Sequence, residues 1–225
     1  EGNPLLATDA ATKVHSLKSA PALLNLLSHY LRVELPEQYD VMRDVQVVTP
    51  TYDGALGVEA LNGHLRKILN GGSRAGRLAV GDKVVVTENN YRLGVVNGDA
   101  GLVQAVANHS GHQMVEVAFP TGEVQFSSAD TRILDEAWAL STHKVQGSEY
   151  PVVIVCLHTS MARQLLSRAL LYTAMTRARE KLIILGHWDL LEACVSNTKS
   201  HQRFTSLPSM LARMLGPKDN EKAAR

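Results

Sequence analysis

Cysteine, aromatic side chains and charge of one sign are all scarce in this chain, and each shortage narrows what it can be. Two cysteines, Cys156 and Cys194, are too few for a disulfide framework. Both sit in apolar surroundings and read as reduced core thiols of an intracellular, cytoplasmic protein. Lysine plus arginine number 23 against 22 aspartates plus glutamates, a net charge of +1. No global basic field therefore marks a nucleic-acid partner, and any such partner must be held by a local patch. No apolar stretch approaches the roughly eighteen residues of a membrane span. The opening EGNPLLATDAATK lacks the basic start and long apolar core of a signal peptide. It also lacks an initiator Met, which suggests a piece of something longer. No metal site is expected, because His109 and His112 lie close in a turn without a third ligand. What remains is globular: 225 residues with 45% hydrophobic content suffice for one large domain or two small ones.

The pattern along the chain is an α/β body interrupted by a β-rich middle. PALLNLLSHYLR, residues 21–32, has leucines at helical spacing behind a first-turn proline. Residues 45–49 form a short apolar strand ended by Pro50, and helical periodicity resumes over 58–69. GGSRAGR, residues 71–77, is a boundary. Short alternating strands follow at 83–88, 101–107, 113–119 and 123–127, joined by Asn- and Gly-rich hairpin turns. They predict a small antiparallel barrel over 77–134, inserted into the body. Beyond it come strands at 138–141 and 152–157, a helix at 164–178, a strand at 181–185 and a helix at 189–196. An amphipathic segment at 207–215 precedes the tail PKDNEKAAR, expected to be disordered, as residues 1–20 are in part.

Two stretches imitate nucleotide motifs and fail on inspection. GGSRAGRL, residues 71–78, has P-loop glycine spacing, but Arg77 replaces the lysine and Leu78 the magnesium-holding hydroxyl residue. Asp135 and Glu136 look like an acidic magnesium box, yet only Ile133 and Leu134 precede them where a buried strand should run. A solvated turn is the plainer expectation there.

Two other blocks carry polar groups that a core has no use for. STHKVQGSE, residues 141–149, gathers His143, Lys144, Gln146, Ser148 and Glu149 around Gly147, just before an apolar strand. The glycine lets backbone approach a ligand, Glu149 suits a ribose hydroxyl, and His143 and Lys144 suit a base and a phosphate. An ordinary loop leading into a strand would also explain it. LLYTAMTRARE, residues 170–180, ends an apolar helix on Arg177 and Arg179. Those cations complement a helix C-terminus, but a rigidly mounted Arg177 before a buried strand also suits a transferring phosphoryl group. The two blocks can share one sheet edge.

HKVQGSEY followed by LLYTAMTRARE resembles the fifth and sixth motifs of superfamily 1 helicases, specifically the RecD/TraA branch. VVTPTYDGALGVEALN (47–62) looks like that branch's fourth motif region, and VGDKVVVTENNY with VVNGDAGLV (80–103) like its SH3-like insertion. RFTSLPSML (203–211) resembles the end of stand-alone RecD-like helicases. The likeness covers essentially everything beyond Pro21. It implies a RecA-like second motor domain, 21–76 and 135–215, carrying an SH3-like barrel. By that resemblance Arg177 is the arginine finger on ATP, while Gly147, Ser148 and Glu149 hold the nucleotide, Glu149 at the ribose. Thr142 and His143, with Lys144 nearby, would face single-stranded DNA, and Thr49 and Pro50 would sit at a DNA-facing strand end. Tyr52 and Asp53 occupy a place where a basic residue is expected after the proline, and the acidic Asp53 argues against a phosphate contact there. The P-loop and the Mg²⁺ acid would belong to a preceding motor domain, the chain's expected partner besides single-stranded DNA. A DNA-binding module without catalysis, an exodeoxyribonuclease V α-subunit part, and a purely structural α/β domain remain the alternatives.

Overall fold

The densest β-branched runs of the chain, VQVVT and YPVVIVC, form β2 (Val45–Thr49) and β9 (Tyr150–Cys156) at the heart of a parallel sheet. With β1 (Thr12–Ser16), β8 (Ala139–Ser141) and β10 (Ala178–Gly186) the strand order is β1-β10-β9-β2-β8. Every residue of β2 is buried, as expected of a strand covered on both faces. The computed structural model describes residues 11–71, 77–109, 112–161 and 166–197, with Met210 and Met214. The amphipathic segment expected at 207–215 (those two methionines apart), the tail and most of the 71–77 boundary lie outside the described residues.

Helices cover the sheet. α1 (Ala20–His29) starts behind Ser19, whose side chain accepts from Ala22 N, and buries Leu23 and Leu27. A short α2 (Val41–Asp44) leads into β2. α3 (Val58–Leu69) buries Leu61 and Leu65 and packs on β8. α4 (Arg168–Met175) packs on β9 and β10, and α5 (Trp188–Ser196) packs on α4. Among the described residues no helix is long and apolar enough to cross a membrane.

Two expectations are corrected here. Residues 12–16 are an edge strand registered on β10, not loose chain; TKVHS offers only one apolar residue, so periodicity could not reveal it. The helix placed at 164–178 stops at Met175. The Thr176 hydroxyl bonds the Tyr172 and Thr173 carbonyls, and Ala178 already pairs with Tyr150 in the sheet.

Between α3 and β8 the chain builds a second, antiparallel sheet from β3 (Lys83–Val86), β4 (Ala100–His109), β5 (His112–Phe119), β6 (Gly122–Ser127) and β7 (Leu134–Glu136), in the order β6-β5-β4-β3-β7. It encloses its own core around Val84, Val115, Val117 and Phe126. Among the described residues no β6–β7 pairing closes it into a barrel. Asp135 and Glu136, expected with Ala137 in a solvated turn, lie instead in an edge strand of this sheet.

Lys83, 5% exposed, reaches from β3 to the base of the parallel sheet. Its Nζ donates to the Val45 carbonyl at 2.9 Å and lies 5.9 Å from the Tyr150 ring centroid. Burial pushes the ammonium down from 10.5 to about 8, with Asp40 and Asp44 pulling partly back. Below about pH 8 both folded and unfolded chains hold the proton, and the cost of burying it is fully present. Between about 8 and 10.5 only the unfolded chain holds it, so stability rises with pH across that window. The gap corresponds to about 3 kcal/mol. Denaturant titrations at pH 7.5 and 10 should show this gain in the native chain and lose most of it in Lys83→Met. Equal pH slopes in the two proteins would refute the assignment.

Candidate functional site

The chain leaves α4 through Thr176 and Arg177 and enters β10 at Ala178, and this tight exit sets the geometry of the site. Arg177 does not project from the last helical turn as expected; it follows the helix and folds back across its end. Nε donates to the Thr173 carbonyl at 3.1 Å, Nη2 to Thr176 Oγ1 at 3.2 Å, and Nη1 to the Ser148 carbonyl at 3.2 Å. The orphan carbonyls of a helix C-terminus attract a guanidinium in this way. The Arg177 carbonyl in turn accepts from Tyr150 N at 2.9 Å. The partially buried Arg177 is thus fixed against the Gln146–Glu149 corner by one bond to Ser148 and a second from the adjoining Tyr150. All three acceptors of its side chain are neutral oxygens, so none of them cancels its charge.

Around it, Gly147 is exposed at φ +86°, and a Cβ there would meet nothing within 4 Å. The corner therefore keeps open space beside backbone that can approach a ligand. Glu149 is exposed. With Arg179 it opens onto a groove of about 570 Å³ between the two sheets, which Lys83 also lines. Of the four residues expected at a nucleotide, Arg177 is bonded to Ser148, which Gly147 and Glu149 flank in the chain, and Glu149 alone lines the groove.

The residues expected to face DNA form a second group. Thr49 and Ser141 pair at the C-terminal ends of β2 and β8, whereas Glu149 and Arg177 flank the N-terminal starts of β9 and β10. The turns of 142–149 connect the two groups. Thr49 and Pro50 are at the strand end but buried, and the Thr49 hydroxyl is spent on the Leu56 carbonyl at 2.8 Å. Thr142 is buried too, its Oγ1 without a hydrogen-bond partner among the described residues. His143 is exposed. Lys144 is engaged by Asp135, Nζ to Oδ2 at 3.0 Å, with its ammonium 6.0 Å from the Tyr52 ring centroid. The presentable groups at this edge are thus His143, Lys144 and the Tyr52 ring.

The imitation motifs have structural work. Arg77 donates to the Thr131 and Leu134 carbonyls and pairs with Asp135. Glu136 pairs with the buried Arg66. Burial pushes the Cys156 and Cys194 thiols up to about 12 and about 11, so both are poor nucleophiles. Sequence reasoning passed over Lys83 and Arg66, and noted Tyr52 only as a departure from an expected basic residue. Lys83 and Arg66 looked like ordinary surface cations, and only a charge amid an apolar run hinted at Lys83.

Residues 136–185, from the end of β7 to the end of β10, match the family model described as the UvrD-like helicase C-terminal domain. The ATP-dependent RecD2 DNA helicase of Deinococcus radiodurans is 37% identical over 157 residues, 66% of this chain and 21% of that protein. The RecBCD enzyme subunit RecD of Mycobacterium tuberculosis is 34% identical over 116 residues, 52% of this chain and 20% of that protein. The chain carries a helicase C-terminal domain of the superfamily 1, RecD type. This RecD-type chain spans about a fifth of the length of those relatives. A structure of Pif1 helicase from Bacteroides in complex with ADP-AlF3 and ssDNA superposes with a TM-score of 0.51 at 16% identity, covering 88% of this chain and 50% of that one. That likeness speaks for the mixed α/β helicase fold alone.

Proposed function

We propose that this RecD-type chain is the second motor half of an ATP-dependent 5′–3′ DNA helicase, with the antiparallel sheet as its SH3-like insert. The observation that carries this reading is the Arg177–Ser148 contact, which sets an uncancelled guanidinium beside an open glycine and an exposed carboxylate. That set fits a nucleotide: Arg177 meets the transferring phosphoryl group, Gly147 and Ser148 shape the approach, and Glu149 accepts from the ribose. ATP supplies the phosphoanhydride whose cleavage drives movement, and its Mg²⁺ would be held by the preceding motor half. The chain's own part is to stabilise charge developing on the phosphoryl oxygens with a donor fork that needs little reorganisation. The turns of 142–149 give a mechanical reason for coupling, because they join the nucleotide corner to the edge where His143 and Lys144 would meet single-stranded DNA. The name of the Deinococcus relative, an ATP-dependent DNA helicase, agrees with this reading. Its identity of 37%, against 34% and 28% for the RecBCD subunits RecD of Mycobacterium tuberculosis and Haemophilus influenzae, favours a stand-alone enzyme over a nuclease-complex subunit.

The complete protein should hydrolyse ATP in response to single-stranded DNA, and this chain alone should not. In the complete protein, Glu149→Ala should raise the KM for ATP by about tenfold, the order expected for one hydrogen bond to a charged group. It should also erase discrimination against 2′,3′-dideoxy-ATP. Steady-state kinetics with the two nucleotides decide it: an unchanged KM together with retained discrimination removes Glu149 from the ribose.

A further inference from the structure

The described residues with strongly exposed aromatic rings are Tyr52, Tyr91 and Tyr172, and Tyr52 alone follows the C-terminal end of a parallel strand. Tyr52 is 52% exposed although its backbone is tightly fixed. Thr49 Oγ1 holds the Leu56 carbonyl, Thr51 Oγ1 the Asp53 carbonyl, Val58 N the Thr51 carbonyl and Glu59 N the Tyr52 carbonyl. Gly57 permits this closure: a Cβ there would overlap the Tyr52 and Asp53 carbonyl oxygens. So rigid a loop that turns a large ring toward water forgoes the burial that usually secures a tyrosine.

The ring also has a cation over it. Lys144 Nζ stands 6.0 Å from its centroid and is itself held at 3.0 Å by Asp135. The ammonium covers part of the ring, and the exposed remainder is open to a flat partner. His143, exposed one residue before Lys144, adds a second ring and a donor at the same edge. A fixed aromatic platform, a cation and an imidazole together suit an unpaired base with its phosphate.

We infer that Tyr52 is a base-stacking residue of the single-stranded DNA track, held in position by the Thr49–Gly57 loop and by Lys144. This rests on the helicase reading above and adds to it a residue and a mode of contact. The platform takes bases of any identity, because stacking uses the π-face common to all of them. It also gives Thr49 a positioning role: the buried hydroxyl shapes the loop that presents the ring.

The test uses the complete protein and two fluorescein-labelled strands of equal length, an oligothymidylate and an abasic phosphodiester strand. Tyr52→Ala should weaken oligothymidylate binding by about tenfold, within the range for loss of one stacked base. It should leave the abasic strand's affinity unchanged, and Tyr52→Phe and Tyr52→Trp should both bind oligothymidylate like the native protein. Unchanged oligothymidylate affinity in Tyr52→Ala overturns the inference, as does an equal loss on both strands. His143→Ala separates this failure from that of the underlying reading. If His143→Ala weakens both strands while Tyr52→Ala weakens neither, the track stands and the stacking does not. If neither variant weakens either strand, both the track and the stacking fall.

Discussion

Arg177→Ala in the complete protein should lower ATP turnover by about 10³-fold or more, the scale set by finger arginines in phosphoryl-transfer enzymes. The reason lies in the surroundings of the guanidinium. Its partners are the Thr173 and Ser148 carbonyls and the Thr176 hydroxyl, all neutral, so a full positive charge remains for an incoming phosphoryl group. Its rigid seating means little of that charge's effect is lost to reorganisation. Affinity for single-stranded DNA should stay within about twofold, because the His143 edge lies at the other end of β9. Arg177→Lys keeps the charge but not the planar fork and should recover only a small part of the turnover. Multiple-turnover phosphate release, with DNA binding by anisotropy on the same samples, checks both statements. Native-like turnover in Arg177→Ala refutes the finger. A melting-temperature comparison identifies a variant that has lost its corner, since Arg177 also ties the Ser148 loop to the helix end; Arg177→Lys then carries the test.

The proximity of Ser148 and Arg177, the proposed nucleotide corner, was legible because two local signals coincided there. A glycine among polar residues preceded one β-branched run, and an arginine at a helix exit preceded another. Both runs had to be parallel neighbours in the sheet, which brought Ser148 and Arg177 together. The proposed DNA edge was less legible. Thr49 and Pro50 were placed at the correct strand end, but a strand buried on both faces turns its last threonine inward, and the hydroxyl goes to Leu56. The exposed group three residues later, Tyr52, was hidden by attention to Asp53 beside it. The insert was legible as alternating strands and turns, whereas closure of its sheet depends on pairing between distant segments, which short-range alternation does not encode. Asp135 and Glu136 were misread for a related reason. LDE has no apolar run of its own, and it becomes a strand because β3 offers it an edge.

Arg66→Met should destabilise the chain by about 3–5 kcal/mol, the usual cost of stripping one partner from a buried ion pair. Arg66, on α3, is 3% exposed, and its guanidinium pairs with Asp82 at 2.6 Å and with Glu136 at 2.8 Å. Asp82, wholly buried, also accepts from Asn70 Nδ2 and Ala79 N, each at 2.8 Å. Asp82 lies where the chain enters the antiparallel sheet and Glu136 where it leaves, so one side chain of the parallel body fastens both crossings. Removing it leaves the Asp82 carboxylate fully buried, still bound to its amide donors but without its cation. Asp82→Asn in the same chain removes that charge while keeping an oxygen for one of those donors. The double variant should therefore be more stable than Arg66→Met alone, a sign reversal that simple loss of packing would not produce. Urea titrations of the native chain, both single variants and the double variant give the coupling directly. A loss below about 1 kcal/mol for Arg66→Met, or strict additivity, would mean the clasp is no more than a surface-like pair. If the coupling is found, the orientation of the insert relative to the motor body is fixed by charge as much as by apolar contact. Any force DNA exerts on the insert would then be transmitted to α3, the helix that packs on β8 and so leads to the His143 edge.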